Sequence, residues 1–158
     1  MIILALDSGV EKTGYSVFKK VLNNFEYISS GLIKTSKTKT KEKRMQDIYD
    51  ELTKIIKKYK PNKIILEQLF FFKNQKTAIQ VSQSQGISLL IAAQNNIEVS
   101  YLTPLEIKYA ITGYGRADKK AIQKMIKITL KDKKIKQDDE ADAIACGLAY
   151  CYINKSLK

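Results

Sequence analysis

Apolar residues follow two rhythms along this chain. The first is the continuous run. Ile2, Ile3, Leu4, Ala5 and Leu6 open the chain and stop at Asp7, which predicts a buried strand over residues 1–6. Residues 63–66 form a second such run and stop at Glu67, while 15–20, 27–34 and 97–102 read as further strands. Turn chemistry falls between them, in the segment from Ser8 to Gly14 and at the Asn23, Asn24 pair.

The second rhythm is helical. Met45, Ile48, Leu52, Ile55, Ile56 and Tyr59 recur at three- and four-residue spacing, so 42–59 is a helix that Pro61 and Asn62 stop. Residues 77–95 carry a second helix, on Ala78, Val81, Ile87, Leu90, Ile91 and Ala92. Thr103, Pro104 and Glu106 stand as N-cap, first helical residue and third helical residue. They predict a capping box and a helix ending near Gly113. Helices over 118–131 and 138–154 complete the chain, with polar loops at 35–41 and 113–117. Three strands followed by alternating helices and strands predict a mixed five-stranded α/β sheet flanked by helices. No repeat or linker divides the chain, and 158 residues with 44% hydrophobic content suit one domain, 1–158.

Charge changes the picture. The net charge is +12, and lysine supplies almost all the positive side chains, since only Arg44 and Arg116 are arginines. Such an excess favours a polyanionic partner such as nucleic acid. Lysines serve as phosphate point charges more than as readers of bases, so the expected contact is with the backbone. The chain has no histidine, which excludes histidine triads and histidine–metal sites. Cys146 and Cys151 indicate neither a disulfide framework nor a zinc site. Residues 1–6 are too short for the apolar segment of a signal peptide, and no run approaches a membrane span, so the expected compartment is the cytoplasm.

Against this basic background the placing of four acids stands out. Asp7 and Glu67 end predicted strands, and strand ends converge on one edge of a sheet. Asp139 and Asp142, three residues apart, share a helix face. Each alone has an ordinary explanation in turn or helix-end chemistry. Asp142, however, lies among Ala141, Ala143, Ile144 and Ala145, where a carboxylate needs a partner. Together the four can surround a pair of Mg²⁺ ions, hard cations that prefer oxygen and clamp both sides of a phosphodiester.

Several separated motifs, in order, resemble the RuvC family of Holliday-junction resolvases. They are Asp7, Ser8, Gly9 with Thr13, Gly14, Tyr15; Ile65 to Phe70 with Lys73 and Asn74; Gln83, Ser84, Gln85, Gly86; Gly113, Tyr114, Gly115; and Asp139 to Ala143. The resemblance covers nearly the whole chain. It implies a ribonuclease H-like fold and a homodimer that nicks a four-way DNA junction symmetrically. It implies two Mg²⁺ per site, with Mn²⁺ able to substitute, and leaves open whether a branch-migration motor is a further partner. Carried over by position, Asp7, Glu67, Asp139 and Asp142 would be the metal ligands, with Lys108 and Lys119 near the scissile phosphate. Phe70 would stack on unpaired bases. Lys73, Lys76, Arg116, Lys119 and Lys120 would contact DNA. Asp138 and Glu140 would support the helix start. Ser8 and Ser16 depart from the Pro and Gly frequent at those family positions. Two other readings stay open: a nuclease of the same fold for flaps or other branched DNA, and an actin-like or sugar-kinase ATP-binding domain, suggested by Asp7 to Gly14.

Overall fold

A computed structural model of the protein describes residues 1–22, 24–69, 75–131, 135 and 137–154, with the side chains of 75–77 also outside that description. Ten elements follow in the order β1 (Ile2–Asp7), β2 (Lys12–Val21), β3 (Asn24–Lys34), α1 (Lys41–Tyr59), β4 (Lys63–Glu67), α2 (Gln75–Gln94), β5 (Glu98–Leu102), α3 (Pro104–Thr112), α4 (Lys119–Thr129) and α5 (Asp138–Ile153). One sheet runs β3-β2-β1-β4-β5, with β1, β2 and β3 antiparallel neighbours and β1, β4 and β5 parallel ones. This is the mixed five-stranded, ribonuclease H-like arrangement expected. The two longest strands differ most from the sequence reading, since β2 starts at Lys12 and β3 at Asn24. Thr13 and Gly14, which read as turn residues, are paired in the ladder opposite Ile33 and Leu32.

The apolar runs of β1 and β4 are explained by burial on both faces. Ile3, Ala5 and Ile65 face a core shared with Ile107 and Ile111 of α3, Ile126 of α4 and most of α5. Leu4, Leu6, Ile64 and Leu66 face the opposite core, with Ile48, Leu52 and Ile56 of α1 and Ile91 of α2. The period of two then decides the site. Asp7 and Glu67 share parity with Ala5 and Ile65, so both point to the α5 side.

Helix ends follow the sequence closely. Thr103 accepts from the Glu106 amide and Glu106 answers on the Thr103 amide, which is the predicted capping box, and Gly113 closes α3 at φ 74°. Asp118 caps α4 by accepting from the Ala121 amide. Helix α5 is buried almost all the way round, from Ala141 to Cys151, because it lies between the sheet on one side and α3 and α4 on the other. Cys146 and Cys151 are free and buried within it. Among the described residues no helix is long and apolar enough to cross a membrane.

The seat of α5 on the sheet is unusually close. A Cβ placed on Gly14 would collide with the Asp139 carbonyl and would lie 3.2 Å from the Ala143 Cβ. Ser16 Oγ donates to the Ala143 carbonyl at 2.8 Å, and Gly147 leaves room for the Phe18 ring and the Ser16 hydroxyl. One stripe of the helix (139, 143, 147) therefore rests on one face of β2 (14, 16, 18). Replacing Gly14 with Ala should cost about 1–3 kcal/mol through overpacking against helix backbone. Urea unfolding would show it as a lower midpoint at unchanged slope, and an unchanged midpoint would refute this contact as a constraint.

Candidate active site at the ends of the central strands

Three contacts bring the acids together. Asp7 stands opposite Gly14 in the β1–β2 register, and Gly14 is the residue on which the first turn of α5 sits. Leu6 stands opposite Leu66 in the parallel β1–β4 pair, so Glu67 ends beside Asp7. Asp142 lies one turn into α5 beyond Asp139. The end of β4 is pinned from α2, where Gln85 Nε2 donates to the Glu67 carbonyl at 2.8 Å, and from β5 by the Gln68 amide on the Leu102 carbonyl at 2.8 Å.

The electrostatics record this crowding. Burial, aided by the charges of Asp142, Glu67 and Asp139, pushes the Asp7 carboxyl from its usual 3.8 up to about 7, with Lys119 pulling partly back. Glu67 is also raised, by burial first and by Asp142 second, against the opposing charge of Lys108. Asp139 and Asp142 are less enclosed, at 35% and 41% side-chain exposure, and each has a lysine instead. Lys119 Nζ donates to Asp142 Oδ2 at 3.1 Å and lies 3.5 Å from Asp138. Burial would lower the Lys119 pKa, but its bond to Asp142 and the two aspartate charges raise it overall.

A cleft of about 230 Å³ opens beside the acids. Its polar wall is Glu67, Lys108, Lys119 and Asp142, and its floor is Pro104, Ile107, Ile122 and Ala145. Of the expected set, Glu67, Asp142, Lys108 and Lys119 line this cleft, while Asp7 feels the charges of Asp142, Glu67, Asp139 and Lys119 from beside it. Arg116 and Lys120 are exposed on the α3–α4 loop and the first turn of α4, beside Lys119. Phe70 and Lys73 lie outside the described residues, as do Phe71 and Phe72. Lys76 sits in the first turn of α2, with its side chain outside the description. Asp138 accepts from Gln123 Nε2 at 3.2 Å, and Glu140 accepts from Ser30 Oγ at 2.6 Å, so both tie α5 to its neighbours. Ser8 is buried, and its hydroxyl has no partner among the described residues.

One neighbour of the acids was named in the sequence only as part of a motif, and another escaped it. Gln85, of the motif 83–86, holds the Glu67 strand end. Lys12 lies 3.9 Å from Asp139, and nothing in a lysine-rich chain distinguished it.

The donor set fits hard divalent cations, being all carboxylate, with two members raised by burial first and by neighbouring carboxylates second, both of which a cation would offset. Among the described residues, no three such side chains are drawn together closely enough to hold one ion. Lysines at the rim partly balance the charge instead.

A ribonuclease H-like sheet whose two central parallel strands end in adjacent buried carboxylates defines a class, the carboxylate-site enzymes built on that fold. Residues 3–151 match the family described as crossover junction endodeoxyribonuclease RuvC. The protein of that description from Fusobacterium nucleatum subsp. nucleatum is 44% identical over 151 residues, covering 95% of this chain and 80% of the relative. That from Pseudothermotoga lettingae is 44% identical over 154 residues, covering 97% and 95%. Among solved structures, T. thermophilus RuvC in complex with a Holliday junction substrate superposes with a TM-score of 0.89 at 23% identity, covering 98% of this chain and 95% of the other, which shows the fold. The chain belongs to the RuvC family of crossover junction endodeoxyribonucleases.

A raised carboxyl pKa has a definite sign in stability. Between pH 4 and 7 the folded protein keeps a proton on Asp7 that the unfolded chain has released, so folding weakens as pH rises through that window. In EDTA, Asp7→Asn should therefore be more stable than the parent at pH 8, on the order of 2–4 kcal/mol. The gap should close towards pH 4. Thermal unfolding across pH checks this, and a pH-independent gap would refute the raised pKa of Asp7.

Proposed function

We propose that the chain resolves four-way DNA junctions by paired symmetric nicks in recombination and repair, working as one ribonuclease H-like domain over 1–158. The observation that carries this reading is the burial of mutually repelling carboxylates at one sheet edge of a chain with net charge +12. Asp7, Glu67, Asp139 and Asp142 would hold two Mg²⁺ ions, with Mn²⁺ able to replace them. Two such ions supply an activated water and neutralise the departing oxygen.

The chain's own groups do the rest. Asp7, which feels the charges of the other three, would be the member shared between the two ions. Lys119 and Lys108 line the cleft beside Asp142 and Glu67, where an ammonium can orient the scissile phosphate and offset charge that develops on it. Pro104, Ile107, Ile122 and Ala145 give the cleft an apolar lining beside them. In-line attack would leave 5′-phosphate and 3′-hydroxyl ends. Arg116 and Lys120, with Lys73 and Lys76, would bind flanking phosphates, and Phe70 would stack on an unpaired base, a contact worth ~1–3 kcal/mol. A branch-migration motor is a further partner, and the cytoplasm is the expected place of work.

Selectivity for a junction requires two sites at a fixed separation, because charge alone accepts any DNA. A two-fold homodimer provides that. Helix α2 supports it: Ile79, Leu89 and Leu90 are exposed, and Gly86 has open space where a Cβ would be. Sedimentation at micromolar protein should give a dimer. A clean monomer would sink this part of the reading.

The deciding experiment is Mg²⁺-dependent cleavage of a labelled four-way junction beside matched duplex and flap substrates. Symmetric nicks in the junction alone are expected. Asp7→Asn and Glu67→Gln should each lower the rate by roughly 10²-fold or more, the equivalent of several kcal/mol of lost charge stabilisation, while junction binding is retained. Cleavage of flaps with the junction left intact would keep the chemistry and discard the substrate.

A further inference from the structure

The proposed site has basic groups on two flanks, and only one of them has a role. Lys108 and Lys119 flank the acids on the α3–α4 side. On the other side, Lys12 opens β2 with the same parity as Gly14, and so projects from the face on which α5 sits. Its Nζ lies 3.9 Å from Asp139 Oδ2, and Lys12 is the cation paired with Asp139 among the described residues.

That distance is too long for a hydrogen bond, and both side chains are more than a third exposed, at 43% and 35%. Such a pair contributes little to stability. The ammonium is held near the acids and still faces solvent, as a group waiting for an anion would be. More positive charge lies beyond it. Lys34, which ends β3, is the cross-strand partner of Lys12. The Thr35 amide donates to the Glu11 carbonyl at 3.0 Å, and Lys37 pairs with Glu11 at 3.1 Å, so the segment after β3 is tied to the start of β2.

We propose that Lys12 is a substrate-positioning residue: it binds a backbone phosphate of the cut strand on the β2–β3 side of the carboxylates, opposite Lys108 and Lys119. A strand gripped on both flanks has its intervening phosphate held over Asp7. The inference rests on the junction-cleaving reading and extends it to a residue outside the expected set. Lys is suited to the task, because a backbone phosphate contact needs a cation and reads no base.

The test compares Lys12→Met and Lys12→Arg with the parent. Junction affinity is measured in EDTA over a range of KCl, and kcat and KM in Mg²⁺. Lys12→Met should weaken binding about fivefold to tenfold near 0.1 M salt, and should make log affinity against log salt shallower by about 0.9 per protomer, the loss of one phosphate contact. The defect should appear in KM more than in kcat, and Lys12→Arg should keep both affinity and slope. An unchanged slope in Lys12→Met, whatever happens to kcat, overturns the proposal and leaves Lys12 as a counter-ion of Asp139. A parent chain that binds no junction overturns the underlying reading along with it.

Discussion

The contact on which the rest depends is the seat of α5 on β2. Asp7 and Glu67 are brought together by the parallel pairing of β1 and β4 alone. Asp139 and Asp142 come from a segment more than seventy residues further on, and reach them only because the helix comes down onto a strand without a side chain at Gly14. A methyl group there would lift the first turn of α5 and move both aspartates away from Asp7. Ser16 and Gly147 extend the same close approach along the helix, with the Ser16 hydroxyl satisfied by a helix carbonyl. The small residues set the distance between sheet and helix, and that distance sets the site.

Closeness of this kind costs stability. Carboxylates that are buried and mutually repelling favour the protonated state, and the fold at neutral pH carries that penalty. It is tolerable because the surrounding core is large. Both faces of β1 and β4 are fully packed, and α5 contributes apolar surface nearly all the way round. An active site that works against the fold needs a scaffold with stability to spare, and here the strained residues sit at the ends of its most buried strands.

Much of this was legible in the sequence for definite reasons. The runs at 2–6 and 63–66 could only be buried strands, and each ended in an acid. Which face of the sheet the two acids share, the α5 side, came only with the register and the packing of the helices. Capping residues fixed α3 and α4, because Thr103, Glu106, Gly113 and Asp118 act locally. The start of β2 was illegible, since Thr13 and Gly14 carry turn chemistry that tertiary packing overrides. Gly14 serves as clearance for a helix, and a single sequence does not say which use a glycine has. Lys12 was hidden for a related reason. Its pairing depends on Asp139, a neighbour distant in sequence, and lysine is common in this chain.

The placing of charge also bears on how the site would change state. Among the described residues, the amide end of α5, Lys119, Lys12 and Lys108 offset the carboxylates. The three lysines stand at the rim, where solvent reaches them, and none is locked into a buried pair. That makes their pairings exchangeable. If divalent cations take the carboxylates as a phosphodiester enters, each lysine loses one anion and meets another, so no charge is left buried without a partner at any stage. A site built from arginines in bidentate pairs with the same aspartates would hold its metal-free arrangement more tightly and would have to break it before each turnover. The preponderance of lysine, read first as composition, becomes at this one location a condition for the site to open to its substrate.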